Sequence, residues 1–253
     1  MTILTISNQK GGVGKTTLSF NLIKALAAQG RKVLAIDNDP QANLTSALLA
    51  DQHPIADVNN ICALYKNDAP FEPLCLTENL HLLGTNKHLA EMSENAFEVV
   101  FKFKKNVNSL KQAYDLIVID TLPSFGLLQM APLVVSDYVL VPSHCDKFSL
   151  DGIAELFDKI DVIQENMNHQ LQVLGIVINE VSGAKTKVDT YFKDILQTRY
   201  KQLVMPVTLS KSVKIKESIA LYQSIFEYAP QCKQADEYQR LVECLLSHLE
   251  GQA

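Results

Sequence analysis

No CxxC pair occurs in this chain, and its five cysteines (Cys62, Cys75, Cys145, Cys232, Cys244) are odd in number. That leaves no basis for a disulfide framework or a thiolate zinc site; buried or free thiols in a reducing compartment are expected. The six histidines are scattered without ligand spacing, so a histidine metal centre is not expected either. Glycine/serine linkers, low-complexity tracts and solenoid-spaced repeats are also missing, and residues 1–253 read as one domain. No apolar stretch approaches the length that crosses a bilayer. The opening MTILTISNQK lacks the basic and long apolar regions of a signal peptide, so a soluble, cytoplasmic protein is expected. Positive charge is short overall: the net charge of −5 argues against a generally basic nucleic-acid binder.

What is present is a chain 47% hydrophobic, enough for a substantial core. Runs rich in β-branched and aliphatic residues recur at 2–7, 33–37, 80–84, 115–120, 138–142, 173–179 and 203–207. Segments of helical length lie between them, including 15–29, 87–111, 149–168 and 186–200, and a last helix is expected near 235–249. Near-continuous apolar strands alternating with helices predict an α/β fold with a mostly parallel, doubly wound sheet. Such sheets place ligands beyond the carboxyl ends of their strands, so the loops after strands matter most. The charge is also unevenly spread. Residues 183–216 hold eight basic side chains and only Asp189 and Asp194, a local +6 that leaves −11 for the rest.

The first strand runs into Asn8-Gln9-Lys10-Gly11-Gly12-Val13-Gly14-Lys15-Thr16-Thr17 and then a helical LSFNLIKALAAQG. Glycines let backbone N–H groups turn inward onto phosphate oxygens, and the helix that follows aims its positive end at the same anion. Gly11, Gly12, Val13, Gly14, Lys15, Thr16 and Thr17 are therefore expected to bind a nucleotide. Lys15 would reach the β/γ-phosphates, Thr16 would ligate Mg²⁺, and Thr17 would bond the α-phosphate. The second strand leads into Asp37-Asn38-Asp39-Pro40-Gln41-Ala42-Asn43, two carboxylates suited to a metal region and a water-positioning group. The strand at 115–120 ends in Asp120, placed to hold Mg²⁺ through a bound water.

The loop departs from the common phosphate-loop pattern, with Gln9 where a glycine is usual and a second lysine, Lys10. KGGVGKTT resembles the deviant Walker A motif of the ParA/MinD family of DNA-partition and cell-division-positioning ATPases. The resemblance implies ATP and Mg²⁺ as cofactors and a homodimer when ATP is bound. It gives Lys10 a role across the dimer interface on the partner's phosphates, Asp39 the attacking water, Asp37 support of the metal region, and Asn179 recognition of adenine. The chain departs from the family at Ala42 for glycine, at Leu122 for proline in Asp120-Thr121-Leu122-Pro123-Ser124, and at Ser210-Lys211 for proline-arginine. It also lacks the close, glycine-flanked cysteines that hold a bridging iron–sulfur cluster in one related branch.

Three functions fit this resemblance. The first is a ParA-type partition ATPase that binds DNA non-specifically through Lys185, Lys187, Lys211 and Lys214, associates with the nucleoid, and is stimulated by a ParB-like centromere-binding protein. No helix-turn-helix extension precedes the loop, so operator binding is not expected. The second is a related ATPase that positions a non-DNA cargo on the nucleoid. The third, a MinD-like membrane-bound switch, wants a basic amphipathic C-terminal helix, whereas YQRLVECLLSHLEGQA carries Glu243 and Glu250.

Overall fold

The apolar runs become the strands of one eight-stranded sheet in a computed structural model that describes residues 1–50, 55–67, 69–94, 96–124, 126–181 and 187–251. In chain order they are β1 (Thr2–Ile6), β2 (Val33–Asn38), β3 (Leu74–Thr77), β4 (Leu80–Leu83), β5 (Leu116–Thr121), β6 (Tyr138–Ser143), β7 (Gln172–Val181) and β8 (Val204–Ser210). Their order across the sheet is β3-β4-β2-β5-β1-β6-β7-β8, and only β3 runs antiparallel to its neighbour. Every residue of β2 and β5 is buried, which is why these strands carry no polar alternation until their carboxyl ends.

Helices cover both faces, as a doubly wound sheet requires. On one side α3 (Glu98–Leu110), α4 (Leu127–Val135), α5 (Lys147–Asn166) and α6 (Lys187–Tyr200) enclose a core containing Phe103, Leu133, Ile153, Leu156 and Leu196. On the other, α1 (Lys15–Ala28), α2 (Asn43–Leu49), α7 (Val213–Ala220), α8 (Ile225–Tyr228) and α9 (Lys233–Glu250) pack Leu22, Leu44, Ile225, Leu241 and Leu245 against the sheet.

The continuous helix expected over 87–111 is instead a 3₁₀ segment, Lys87–Glu94, followed by α3. Ser93 turns its hydroxyl onto the Ala90 carbonyl at 2.6 Å, a local bond that competes with α-helical pairing. β3 went unread because it is a four-residue edge strand, half-exposed along its length. The short helices α2, α4, α7 and α8 also escaped the pattern. In α4 the interior Pro132 masks the period, and its missing N–H leaves the Leu128 carbonyl without a helical partner. The side-chain amide of Asn38, at the end of β2, donates to that carbonyl. Asn38 Oδ1 in turn accepts the buried Tyr65 hydroxyl at 2.7 Å.

Candidate active site

β1, β2 and β5 lie side by side at the centre of the sheet, so the three loops flagged in the sequence open from one edge. The parallel register pairs Ile6 with Asp120 and Asp37 with Asp120. The glycine-rich loop leaves β1 and closes on α1 through Gly14, whose φ of 85° is left-handed and whose carbonyl accepts the Leu18 N–H at 2.9 Å. A side chain at Gly14 would collide with the Asn179 amide, which donates to the Val13 carbonyl at 2.8 Å. In this structure Asn179, at the end of β7, thus supports the loop from beneath; its own carbonyl accepts the Glu180 N–H at 2.9 Å. Gly12 is also left-handed, at φ 75°. Gly11 packs near Pro123 of the segment after β5.

Lys15 is only 6% exposed, and its Nζ donates back to the Lys10 carbonyl at 3.2 Å. Burial holds its ammonium below the ordinary lysine range, against the opposing pull of Asp120 and Asp39. One turn of α1 grips Asp120: Thr16 Oγ1 donates to one carboxylate oxygen at 2.7 Å and Ser19 Oγ to the other at 2.8 Å. Even so, burial pushes Asp120 up to about 6. Asp37 is pushed up to about 7, first by burial and then by the charge of Asp120. Its oxygens are taken by the Thr45 N–H and hydroxyl, both at 2.7 Å, and by the Asp39 N–H at 3.2 Å. These bonds tie Asp37 to the start of α2 and to its own loop. Asp39 is buried and accepts the Gln41 N–H at 2.9 Å. Ala42, where a glycine is usual, adopts φ 55° at the start of α2. Leu122, in place of proline, leans on the apolar core beside α4.

A hard, all-oxygen donor set suits Mg²⁺, which takes one or two protein oxygens and draws the rest from phosphates and water. Thr16 and Asp120, whose oxygens lie 2.7 Å apart, could supply that pair. Among the described residues no group of three or more His, Cys, Asp or Glu forms a fuller cage. Thr17 stands at the mouth of a cleft shared with Asn179, Lys211 and Tyr238.

Lys10 does not join this centre. Its Nζ contacts both Asp146 oxygens, at 2.7 and 2.6 Å, and Ser149 Oγ at 3.1 Å. Asp146 caps α5 through the Ser149 N–H. Burial pulls this carboxyl upward, but hydrogen bonds from Lys10 and Ser149 outweigh it and hold it below the usual range. Phe148, 73% exposed, lies 6.0 Å from the Lys10 ammonium.

The basic residues divide. Lys187 opens α6 on one layer, Lys211 and Lys214 flank the start of α7 on the other, and all three are exposed. Lys185 lies outside the described residues. Ser19, Thr45 and Asp146 were missed in the sequence. Ser19 was legible as one turn beyond Thr16, and Asp146 as an Asp-x-x-Ser helix start; Thr45 carried no such signal.

Residues 1–173 match the family model described as an AAA domain. The chain is 30% identical to the sporulation initiation inhibitor protein Soj of Bacillus subtilis, over 93% of this chain and 94% of that one. A Borrelia burgdorferi structure described as a putative plasmid partition protein bound to AMPPNP superposes with a TM-score of 0.83 at 27% identity, covering 98% of this chain and 99% of that one. A point variant of McdA from Cyanothece, in complex with ATP, gives a TM-score of 0.86 at 21% identity over 97% and 96%, a likeness of fold. With its glycine-lysine loop, its paired carboxylates and these relatives, the chain belongs to the ParA/MinD family of P-loop ATPases, alongside the Soj and ParA partition proteins.

Proposed function

We propose that the chain is a ParA-type partition ATPase: ATP closes it into a dimer, the dimer binds DNA without reading sequence, and Mg²⁺-dependent hydrolysis, stimulated by a ParB-like centromere-binding partner, releases it. The observation that carries this reading is the contrast between the two lysines. Lys15 is sealed inside the loop, whereas Lys10 stands at the rim with its side chain 26% exposed, beside the uncovered ring of Phe148. An approachable cation next to an exposed aromatic suits a face that a second copy covers.

The triphosphate would enter the loop from 11 to 17, exchanging the Lys10 carbonyl for a phosphate oxygen on Lys15. Placing that buried ammonium against anions relieves the burial that disfavours its charge. Thr16 and Asp120 would hold Mg²⁺, which when bound neutralises charge between the β- and γ-phosphates. Asp39, fixed by Gln41, would orient the water for in-line attack. Lys10 would leave Asp146 for the partner's phosphates, so ATP binding and dimerisation favour each other by linkage. Lys187, Lys211 and Lys214 would neutralise DNA phosphates.

A membrane-bound switch is disfavoured, because the apolar face of α9 (Tyr238, Leu241, Val242, Leu245) is packed against the sheet. Among the described residues no helix is long and apolar enough to cross a bilayer.

Size analysis with ADP and with a non-hydrolysed ATP analogue, each with and without arbitrary duplex DNA, tests dimer and DNA together. A dimer only with the analogue, retained on DNA at low salt and lost at high salt, is expected. One oligomeric state in every nucleotide would overturn the proposal. A dimer that ignores DNA would move the reading to a non-DNA track.

A further inference from the structure

Glu237 is a carboxylate only 3% exposed, on α9, far along the chain from the phosphate chemistry. Burying such a group is costly unless its oxygens are filled. They are filled by one residue of the nucleotide edge. The Ser210 N–H donates to Oε2 at 2.8 Å and the Ser210 hydroxyl to Oε1 at 2.6 Å. Lys233, one helical turn earlier, completes the knot: its Nζ lies 2.7 Å from Ser210 Oγ and 3.1 Å from Glu237 Oε1.

Ser210 ends β8 and leads the loop into α7. The next N–H, of Lys211, is tied to the Val181 carbonyl of β7 at 3.0 Å. Side chains from this loop and its surroundings wall the cleft that begins at Thr17: Asn179, Ser210, Lys211, Ser212 and Tyr238. Lys211 and Glu180 approach across it at 3.9 Å. Since Thr17 belongs to the phosphate loop, a nucleotide seated there lies within reach of this cleft. Where relatives have a proline, which fixes its own backbone, Ser210 has a free φ, an N–H and a hydroxyl, and Glu237 takes both donors.

We propose that Glu237, assisted by Lys233, is a positioning residue for nucleotide binding: it clamps Ser210 and so holds the 210–212 wall against the purine base. The inference rests on the nucleotide site proposed above. The C-terminal helix thereby becomes part of the binding site without touching ligand. Truncating Glu237 leaves the Ser210 N–H and the Lys233 ammonium without their shared acceptor, and the wall loosens.

Binding of ATP, ADP and GTP, measured by displacement of a fluorescent adenine nucleotide, tests this in the full-length chain, together with the KM and kcat for ATP. Glu237→Ala is expected to weaken ATP and ADP about tenfold, the equivalent of ~1.4 kcal/mol. It should narrow the preference for ATP over GTP and raise KM while kcat at saturation stays within about twofold. Glu237→Gln, which keeps an acceptor for the Ser210 N–H, should recover most of the affinity. Should Glu237→Ala not fold, Ser210→Ala and Lys233→Ala carry the test. Each alone should weaken ATP, and the double variant should lose less than the sum of the two, because both act through one contact. Unchanged affinity in folded variants, strictly additive losses, or a fall in kcat without a rise in KM would overturn the proposal. A wild-type chain that binds no ATP would remove the nucleotide site itself, a result distinct from any of these.

Discussion

Two carboxylates within the central strands are kept from water, and each solves the problem with hydroxyl donors. Asp120 has Thr16 and Ser19, while Asp37 has Thr45 twice over. Removing one partner from such a buried cluster costs about 1–3 kcal/mol. Thr45→Val keeps the Thr45 N–H on Asp37 but removes the hydroxyl that donates to Asp37 and accepts the buried Thr85 N–H at 3.0 Å. It should lower the stability of the nucleotide-free chain by about that amount in urea unfolding. The same burial makes stability depend on pH. An unfolded chain releases these protons near the ordinary carboxylate value of 3.8, whereas folded Asp120 and Asp37 hold theirs to about 6 and about 7. Between those limits the folded state binds more protons. Stability should thus fall as pH rises from about 4 to about 7 and level off above. Urea midpoints between pH 5 and 8, without nucleotide or metal, should slope downward, and Asp37→Asn should flatten that slope. Equal slopes in both proteins would contradict the assignment.

The element that joins the two carboxylate loops is α4. Its Pro132 frees the Leu128 carbonyl, Asn38 takes it, and Tyr65 holds Asn38 in place. The turn between Asp37 and Asp39 is therefore fastened to the helix that follows Asp120. Tyr65→Phe should cost about 1–3 kcal/mol, because Asn38 Oδ1 loses its buried donor while the ring keeps its stacking on Phe103 at 4.7 Å. At the start of α2, Ala42 sits at φ 55°, a conformation costing roughly 1–2 kcal/mol for a residue with a Cβ. Ala42→Gly should raise the unfolding free energy by about 0.5–1 kcal/mol, part of the relief being offset by a freer unfolded chain. This level of organisation divides what was legible from what was not. The sheet could be read because its strands are apolar on both faces, and the glycine loop because sequence neighbours make it. Asn38, Tyr65 and Glu237 could not. Their partners lie 90, 27 and 27 positions away, and each side chain has an ordinary identity in its own segment.

Across the whole molecule, the charge read as one basic stretch becomes two exposed groups on opposite layers, with Lys187 at α6 and Lys214 at α7, both following the adjacent strands β7 and β8. The remainder of the chain is strongly acidic. Under the proposed function, an anionic polymer would meet its densest run of basic residues along the edge beyond β7 and β8. In a dimer made through the Lys10 face, that edge is present twice. Under the same proposal, a polymer spanning both copies would gain the contacts of two protomers at the entropic cost of one encounter, and DNA retention would depend on assembly. Lys10→Ala should then lose the analogue-induced dimer and, with it, DNA retention. Lys187→Glu/Lys214→Glu should do the reverse, keeping the dimer while losing DNA. Each phosphate contact removed should lower the salt slope of binding by about one. Sedimentation with the ATP analogue, followed by DNA binding titrated against salt, separates the two variants. If Lys10→Ala stayed monomeric yet held DNA as tightly as the parent chain, assembly and DNA binding would be independent, and the link through the nucleotide would be broken.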